Sequence, residues 1–242
     1  MAVPVLPALA DLVLPRVCAG CGLPGRVLCP GCARLLTEPR PAQPRRFPDG
    51  FPPTVAAGPY AGPVRPAINA FKEQGRAELA GPLGAALALA VVAVRLAVPG
   101  PPRAVLLVPM PASRAAVRAR GRDHVRELTG RAVTELRAAG VTAAECRLLR
   151  RRGRVRDSAG LTAAERRANL AGTFAVAGPL PVADLLVLVD DVVTTGATLT
   201  EAAGVLSAGL GRAAPPVVAA VVAATPRSPD DLDRLSRPLR ND

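Results

Sequence analysis

An uninterrupted apolar run that ends in two aspartates constrains the fold of this chain more than any other feature. The run is Leu185–Val189, and its continuous apolar character predicts a strand buried on both faces, as in a parallel sheet covered by helices. Asp190 and Asp191 follow, and then the turn Val-Val-Thr-Thr-Gly-Ala-Thr leads into a helical pattern over Thr198–Leu210. Ligands of open α/β sheets bind at the carboxyl ends of strands, so this turn is the first candidate for a binding site.

The chain from about residue 54 onward repeats this alternation of strand-like and helical patterns. Further strands are predicted over Val55–Tyr60, Ala104–Val108, Thr173–Val176 and Val217–Ala224. Helices are predicted over Arg65–Phe71, Ala77–Leu96 and Arg122–Ala138. Strands that alternate with helices predict an α/β fold with a mostly parallel sheet flanked by helices.

Composition divides the chain into four parts. Residues 1–36 hold four of the five cysteines, and residues 37–53 form a Pro- and Arg-rich linker in which little regular structure is expected. Residues 54–226 form the α/β domain, and residues 227–242 are expected to be a flexible polar tail.

The four N-terminal cysteines have the spacing of metal ligands. Cys18 and Cys21 form one Cys-x-x-Cys pair, and Cys29 and Cys32 form a second pair seven residues further on. Two such pairs can place four thiolates around one Zn²⁺, which would be structural because every ligand comes from the protein. Two disulfides or an iron–sulfur cluster are the alternatives, and a reducing cytoplasm favours zinc. Cys146 stands apart and is expected to be a small buried apolar residue.

The charge of the chain is strongly positive, and arginine supplies almost all of it. The net charge is +12, and Lys72 is the one lysine among thirty-one basic residues. A genome-wide bias toward arginine explains this balance, and so does a surface that attracts polyphosphate or nucleic acid. His124 is the one histidine, and because it is expected on a helix surface, hydrolysis by a Ser-His-Asp triad is not expected.

A cytoplasmic protein without membrane insertion is expected. No apolar run free of proline and charge is long enough to cross a membrane. The first residues lack a basic segment and include Asp11, which is atypical of a signal peptide.

The residues of the turn after the strongest strand suit a sugar phosphate. A helix N-terminus offers free N–H groups to a phosphate, Thr194, Thr195 and Thr198 add hydroxyl donors, and Gly196 lets the backbone bend around the anion. Two carboxylates would repel a phosphate, but they can accept hydrogen bonds from sugar hydroxyls or face a bound Mg²⁺. Ordinary helix capping is the alternative, although a cap needs only one of these side chains.

The thirteen residues Leu186–Thr198 resemble the phosphoribosyl pyrophosphate motif of type I phosphoribosyltransferases. Other segments resemble the ComF family of competence-associated, phosphoribosyltransferase-like proteins. They are the cysteine segment, GPYAGPVRPAINAFKEQGR, VPMPASRAAVRARGRDHVREL and RDSAGLTAAERRANLAGTF. The resemblance covers nearly the whole chain and implies a type I phosphoribosyltransferase-like fold behind an N-terminal zinc knuckle.

The resemblance also implies an activity and the residues that perform it. A ComF-like chain would bind phosphoribosyl pyrophosphate, or another ribose 5-phosphate compound or nucleotide, with Mg²⁺. It would transfer the phosphoribosyl group to an unidentified nitrogenous acceptor, as a glycosyltransferase, with Asp190 and Asp191 as catalytic residues. The ribose and 5-phosphate site would comprise Asp190, Asp191, Val192, Val193, Thr194, Thr195, Gly196, Ala197 and Thr198. The pyrophosphate half would meet Pro109, Met110, Pro111 and Arg120.

Two other functions stay open at this point. The chain could be a non-catalytic sensor of phosphoribosyl pyrophosphate or a nucleotide. It could instead handle nucleic acid during DNA uptake, with single-stranded DNA or competence proteins as partners.

The chain departs from the family pattern at two places. The family usually has Arg-Gly-Phe-Asn-Gln where this chain has Arg120-Gly121-Arg122-Asp123-His124, and it usually has Gln near Ser158. Both segments would shape the acceptor side of the site. Arg118, Arg120 and Arg122 are candidates for neutralising the polyphosphate, and residues 150–156 are expected to belong to a mobile hood. Arg166, Arg167 and Asn169 match the family pattern without an assigned role.

Overall fold

A mostly parallel sheet of six strands forms the centre of the protein. The computed structural model describes residues 16–42, 49–100, 103–152, 172–211 and 214–226. The strands are β1 (Arg40–Pro41), β2 (Thr54–Pro59), β3 (Ala104–Pro109), β4 (Thr142–Glu145), β5 (Leu149–Arg151), β6 (Phe174–Val176), β7 (Leu185–Val193) and β8 (Val217–Ala224). The central sheet has the order β1-β2-β8-β7-β3-β4, and only the β1–β2 pair is antiparallel. This confirms the predicted α/β class.

Helices cover both faces of this sheet. They are α1 (Pro30–Arg34), α2 (Val64–Glu73), α3 (Ala80–Leu96), α4 (Arg114–Arg120), α5 (His124–Ala138) and α6 (Ala197–Leu210). The side chains of β7 alternate between two apolar cores: Leu185, Val187 and Val189 face the core that includes α2, α3 and α5, whereas Leu186 and Leu188 face α6. A strand buried on both faces is therefore apolar at every position, as its sequence predicts.

Several elements differ from the sequence prediction in their bounds or were not predicted. Strand β7 continues to Val193, so the two aspartates lie within the strand, near its C-terminal end, and not after it. The helix predicted over Arg122–Ala138 is α5, which begins two residues later at His124, and Gly121, with φ of 69°, ends the unpredicted α4 before it. Strand β1 falls inside the predicted linker, where its two residues pair with β2. The sequence prediction missed α1, α4, β1, β4 and β5 because each is short and lacks a clear apolar period.

The hairpin of β5 and β6 stands apart from the main sheet. Its two strands pair antiparallel, Leu149 with Val176 and Arg151 with Phe174. Residues 153–171, which connect them, lie outside the described residues, so the expectations for Ser158, Arg166, Arg167 and Asn169 do too. The segment 227–242 also lies outside. Cys146 is half-buried against the α6 core, where full burial was expected.

Within the described residues, one helical stretch meets the length and composition of a membrane span. It is Ala77–Leu96, a short 3-10 turn followed by α3, and 56% of the apolar 18-residue window within it is buried. Its buried side chains belong to the core beneath β2 and β8, and α3 packs against α5. The sequence prediction excluded this stretch because it carries Glu78, Pro82 and Arg95.

Candidate functional site

The topology of the sheet opens a crevice beside β7. The chain leaves β3 toward β4 on one side of the sheet and leaves β7 toward β8 on the other side. Where neighbouring connections diverge in this way, the loops at the carboxyl ends separate and leave room for a ligand. Strands β3 and β7 are hydrogen-bonded neighbours, with Pro109 beside Val189. The segment predicted to bind the ribose 5-phosphate and the segment predicted to bind the pyrophosphate therefore flank one crevice.

A cavity of about 410 Å³ lies in this crevice. Its walls come from strands β5 and β7, from the turns after β2, β3 and β7, and from helices α2, α4, α5 and α6. The lining residues are Tyr60, Lys72, Met110, Pro111, Ala112, Ser113, Ala116, Arg120, His124, Val125, Arg151, Asp190, Asp191, Val192, Thr194 and Thr198. Eight of these sixteen were predicted as site residues from the sequence, and cavities of this size hold small-molecule ligands.

Asp191 is held in place by donors from the protein itself. Its Oδ2 accepts from Lys72 Nζ at 2.9 Å and from His124 Nε2 at 3.0 Å, and its Oδ1 accepts from the Val192 N–H at 2.7 Å. The side chain is only 5% exposed. Burial alone would raise the pKa of Asp191, but the His124 hydrogen bond and the Lys72 ammonium outweigh it and hold that pKa well below its usual range. Asp191 is therefore a fixed carboxylate with few free lone pairs.

Asp190 has the opposite environment. Its Oδ1 accepts from the backbone N–H of Asp191 at 2.9 Å, and among the described residues no side chain forms an ion pair with it. Burial raises the pKa of Asp190 to about 8, and the negative charge of Asp191 adds to the shift. Asp190 is accordingly protonated near neutral pH, and only one negative charge then faces the cavity from this pair. In the free protein, this lowers the repulsion that an approaching phosphate meets.

Lys72 supplies the positive charge that balances Asp191. It lies in the last turn of α2, and its side chain is 30% exposed. Burial lowers the pKa of Lys72, but the charge of Asp191 and its hydrogen bond outweigh that effect and raise the pKa above its usual value. The chain uses arginine at every other basic position except this one. A compact ammonium on a flexible stem differs in geometry from a planar guanidinium, so lysine and arginine are not interchangeable in such a contact.

The threonine-rich turn reaches the cavity with some of its residues. Asp190, Asp191, Val192, Thr194 and Thr198 line the cavity, whereas Val193, Thr195, Gly196 and Ala197 do not. Val193 is buried beneath, in the core against α6. Gly196 has φ of 76° and is the N-cap of α6, so a glycine is required at this position. Helix α6 has fourteen residues and begins at Ala197, next to Thr198. The N–H groups of its first turn have no acceptors within the helix.

The predicted pyrophosphate turn lies on the opposite side of the cavity. Met110 and Pro111 line it, while Pro109 is the last residue of β3 and does not. Arg120 lines the cavity and forms an ion pair with Glu73 at 3.2 Å. Arg151 also lines it, and its Nε donates to the carbonyl of Pro111 at 3.0 Å. Arg151 therefore ties the β5–β6 hairpin to this turn.

Two of the three arginines predicted for polyphosphate lie elsewhere. Arg118 is exposed on α4 and does not line the cavity. Arg122 stacks on the Phe71 ring at 4.2 Å, donates to the Phe71 carbonyl at 3.1 Å and pairs with Glu127. Its guanidinium is already engaged by these contacts, so Arg122 joins α2 to α5.

His124 was misjudged from the sequence, and Lys72 was missed. His124 is not a surface residue: it is 5% exposed at the first position of α5, packs edge-on against Phe71 and binds Asp191. Because Nε2 faces a carboxylate, it carries a proton, and the buried Nδ1 has no hydrogen-bond partner among the described residues. The sequence feature that could have indicated both residues is that each is the only one of its type in the chain. A chain with one lysine and one histidine brings both to the same carboxylate.

The four N-terminal cysteines form a second site, separate from the cavity. Their sulfur atoms all lie within 4.8 Å of one another, and Cys21 Sγ is 3.6 Å from Cys29 Sγ. Four thiolates about 2.3 Å from one Zn²⁺ would lie about 3.8 Å apart, so the cluster could hold a metal ion such as zinc. The Cys29 N–H donates to Cys18 Sγ at 3.3 Å, a contact that stabilises a thiolate ligand. All four are free thiols here, not disulfides.

No protein-family model matches this chain, and no curated protein matches it either. The geometry of the two sites and the motif after β7 therefore carry the functional proposal.

Proposed function

We propose that this chain binds phosphoribosyl pyrophosphate and transfers its phosphoribosyl group to a nitrogenous acceptor, as its resemblance to ComF-like proteins and type I phosphoribosyltransferases implies. One observation carries the proposal. A cavity of about 410 Å³ brings a buried acid pair at the end of β7 together with the turn that starts α6. Acids suit the hydroxyls of a ribose, and the turn suits its 5-phosphate, so the arrangement fits a sugar phosphate better than a phosphate alone.

The 5-phosphate would lie on the threonine-rich turn. The N–H groups at the start of α6 and the hydroxyls of Thr194 and Thr198 would donate to its oxygens. Gly196 allows the close approach of the backbone, and the helix dipole favours the negative charge. No lysine or arginine is needed at this contact, which agrees with the absence of basic residues between Asp190 and Thr198.

The two aspartates would have different tasks. Asp191 already accepts from three protein donors, so it would fix the floor of the site. Asp190 would accept from a ribose hydroxyl, or face the Mg²⁺ that accompanies pyrophosphate, because its side chain has fewer protein partners. Either contact favours the ionised form of Asp190 and would release its proton on binding.

The pyrophosphate would occupy the side of the cavity near Met110 and Pro111. Arg120 and Arg151 both line this side and would balance the charge of the leaving group. In the transfer, the bond between C1′ and the pyrophosphate oxygen breaks, and pyrophosphate leaves with that electron pair. A bond forms from the acceptor nitrogen to C1′, and the nitrogen loses a proton. Positioning and electrostatics carry most of this catalysis.

Release of pyrophosphate tests transfer directly. Purified protein with Mg²⁺ and phosphoribosyl pyrophosphate is incubated with a panel of nitrogenous bases, and labelled pyrophosphate is counted. Release that depends on one base, and that is lost in Asp190→Asn, supports a transferase. Tight binding of phosphoribosyl pyrophosphate without turnover on any base would instead indicate a non-catalytic sensor of this compound. Asp49→Asn, which removes an exposed acid outside the cavity, is the matched control.

A further inference from the structure

The cysteine segment contacts both ends of helix α2, the helix that carries Lys72. At the N-terminal end, a Cβ placed on Gly20 would lie 2.8 Å from the carbonyl oxygen of Pro63, which is the N-cap of α2. Beyond the C-terminal end, the Arg76 guanidinium donates to the carbonyl of Val17 at 3.0 Å. The helix is thus held from both sides by residues next to the first cysteine pair.

Arg76 is in turn bonded to the last turns of α2. Its backbone N–H donates to the carbonyl of Ala70 at 3.2 Å, two residues before Lys72. One residue therefore links the cysteine segment to the part of the helix that faces the cavity. A displacement of Val17 therefore changes its hydrogen bond with Arg76, which lies four residues after Lys72 in the chain.

The metal cluster and α2 share one packed core. A Cβ on Gly20 would also lie 2.9 Å from Cys32 Sγ. Gly20 therefore lies between a cysteine sulfur and the N-cap of α2, where a larger residue would contact both too closely. Cys18 and Cys32 are buried in the same apolar core as Ile68 and Phe71 of α2. A ten-residue helix is a rigid rod about 15 Å long, so a tilt at one end moves the other.

We propose that the cysteine segment, with its metal bound, positions Lys72 against Asp191, and that Gly20 and Arg76 are the positioning residues. The effect on a ligand rests on the proposed function, because phosphoribosyl pyrophosphate is the probe of the cavity. The effect on the Lys72–Asp191 contact does not, because it exists in the free protein. The two parts of the proposal can therefore fail separately.

The single lysine provides a direct readout of the contact. Protein labelled with ¹³C at lysine gives one side-chain signal, which belongs to Lys72 without further assignment. The chemical shift and the pH titration of its ε-carbon report the ion pair with Asp191 in the absence of any ligand. Titration calorimetry with phosphoribosyl pyrophosphate and Mg²⁺ reports the cavity separately.

Gly20→Ala and Gly31→Ala form a matched pair of variants. Both lie inside a Cys-x-x-Cys pair, but a Cβ on Gly31 meets nothing closer than Cys29 Sγ at 3.9 Å. We expect both proteins to keep one zinc per chain. Gly20→Ala should shift the lysine signal and lower its pKa, and should weaken donor binding by at least about tenfold, since small misplacements cost this much. Gly31→Ala should match the wild type in all three measurements.

If Gly20→Ala loses its zinc, Arg76→Ala provides the test, because the hydrogen bonds and the ion pair of Arg76 within the described part of the chain involve no cysteine side chain. It should displace the lysine signal and weaken donor binding with the zinc retained. Glu78→Ala is its control: Glu78 pairs with Arg76 Nε at 2.8 Å but takes no part in the bond to Val17. A wild-type lysine signal in zinc-loaded Gly20→Ala or in Arg76→Ala would overturn the positioning role. Wild-type protein that binds no donor would instead refute the proposed function and leave the lysine result to stand.

Discussion

Lys72 Nζ lies 2.9 Å from Asp191 Oδ2, and this ion pair separates the roles of two neighbouring acids. Asp191 is ionised and occupied by protein donors, while Asp190 keeps a raised pKa and faces the cavity. The pair therefore presents one fixed charge and one exchangeable proton. A polyanionic ligand can approach such a site without meeting two bare carboxylates.

Lys72→Met is expected to destabilise the protein by about 3 kcal/mol, because it leaves Asp191 ionised and buried without its main counter-ion. Lys72→Arg should recover most of this stability but bind phosphoribosyl pyrophosphate at least about tenfold more weakly, because a planar fork cannot occupy the position of an ammonium. Urea unfolding and titration calorimetry on the three proteins provide the two numbers. Donor affinity unchanged in Lys72→Arg would show that only the charge matters here.

His124→Ala is expected to weaken donor binding and to raise the pKa of Asp191, since it removes the hydrogen bond from Nε2. His124→Gln should retain more affinity, because its amide N–H can donate to the same Oδ2. The comparison needs donor titrations of both variants at one pH. Equal losses in the two variants would mean that the imidazole ring has a task other than this hydrogen bond.

Asp190→Asn should flatten the pH dependence of stability. The folded protein keeps the Asp190 proton up to about pH 8, whereas an unfolded aspartate releases it near pH 4. The native state binds more protons in this window, so the free energy of unfolding falls as the pH rises through it. Urea unfolding between about pH 5 and about pH 8 should show this contribution in the wild type and not in the variant. Parallel curves would contradict the raised pKa.

Asp191→Asn should behave in the opposite way. The lowered pKa of Asp191 stabilises the fold at pH values above about 4, and this contribution disappears as the solution is acidified through the folded pKa. Its removal should cost about 3 kcal/mol at neutral pH, because Lys72 then lacks its partner. In the double variant Lys72→Met, Asp191→Asn, the loss should be smaller than the sum of the single losses. Additive losses would mean that the ion pair contributes no coupling.

Removal of metal should unfold the N-terminal segment. Cys18 and Cys32 are buried, and four thiolates facing one another need an ion to balance their charge. Treatment with a chelator, or the variant Cys32→Ser, should release one zinc per chain and lower the melting temperature. Cys146→Ser, outside the cluster, is the control. Metal analysis that finds no zinc in protein purified without chelator would contradict the assignment.

The apolar pattern predicted the sheet well because burial on both faces leaves no ambiguity. Leu185–Val189 and Val217–Ala224 appear as central strands, where every side chain packs against a helix layer. Short edge elements such as β1 and β4 were missed, since two to four residues carry no period. The end of β7 was placed too early because the aspartates interrupt the apolar run although the backbone pairing continues to Val193.

Sequence spacing located one half of the site and could not locate the other half. The acids and the turn are consecutive, so a motif reveals them together. Lys72 and His124 come from α2 and α5, separated from Asp191 by more than sixty residues, and only the folded core brings them to one oxygen. The composition of the chain distinguishes these two residues, because each is the only one of its type, but it does not indicate that they lie together.

Titration calorimetry of the wild type with phosphoribosyl pyrophosphate and Mg²⁺ tests the central claim most directly, with Asp190→Asn measured beside it. The experiment is run near neutral pH in two buffers that differ in ionisation enthalpy, so that proton exchange is counted. The predicted result is saturable binding with release of about one proton from the wild type and strongly weakened binding without proton release in Asp190→Asn. Equal affinity in both proteins, or no binding in either, would contradict it.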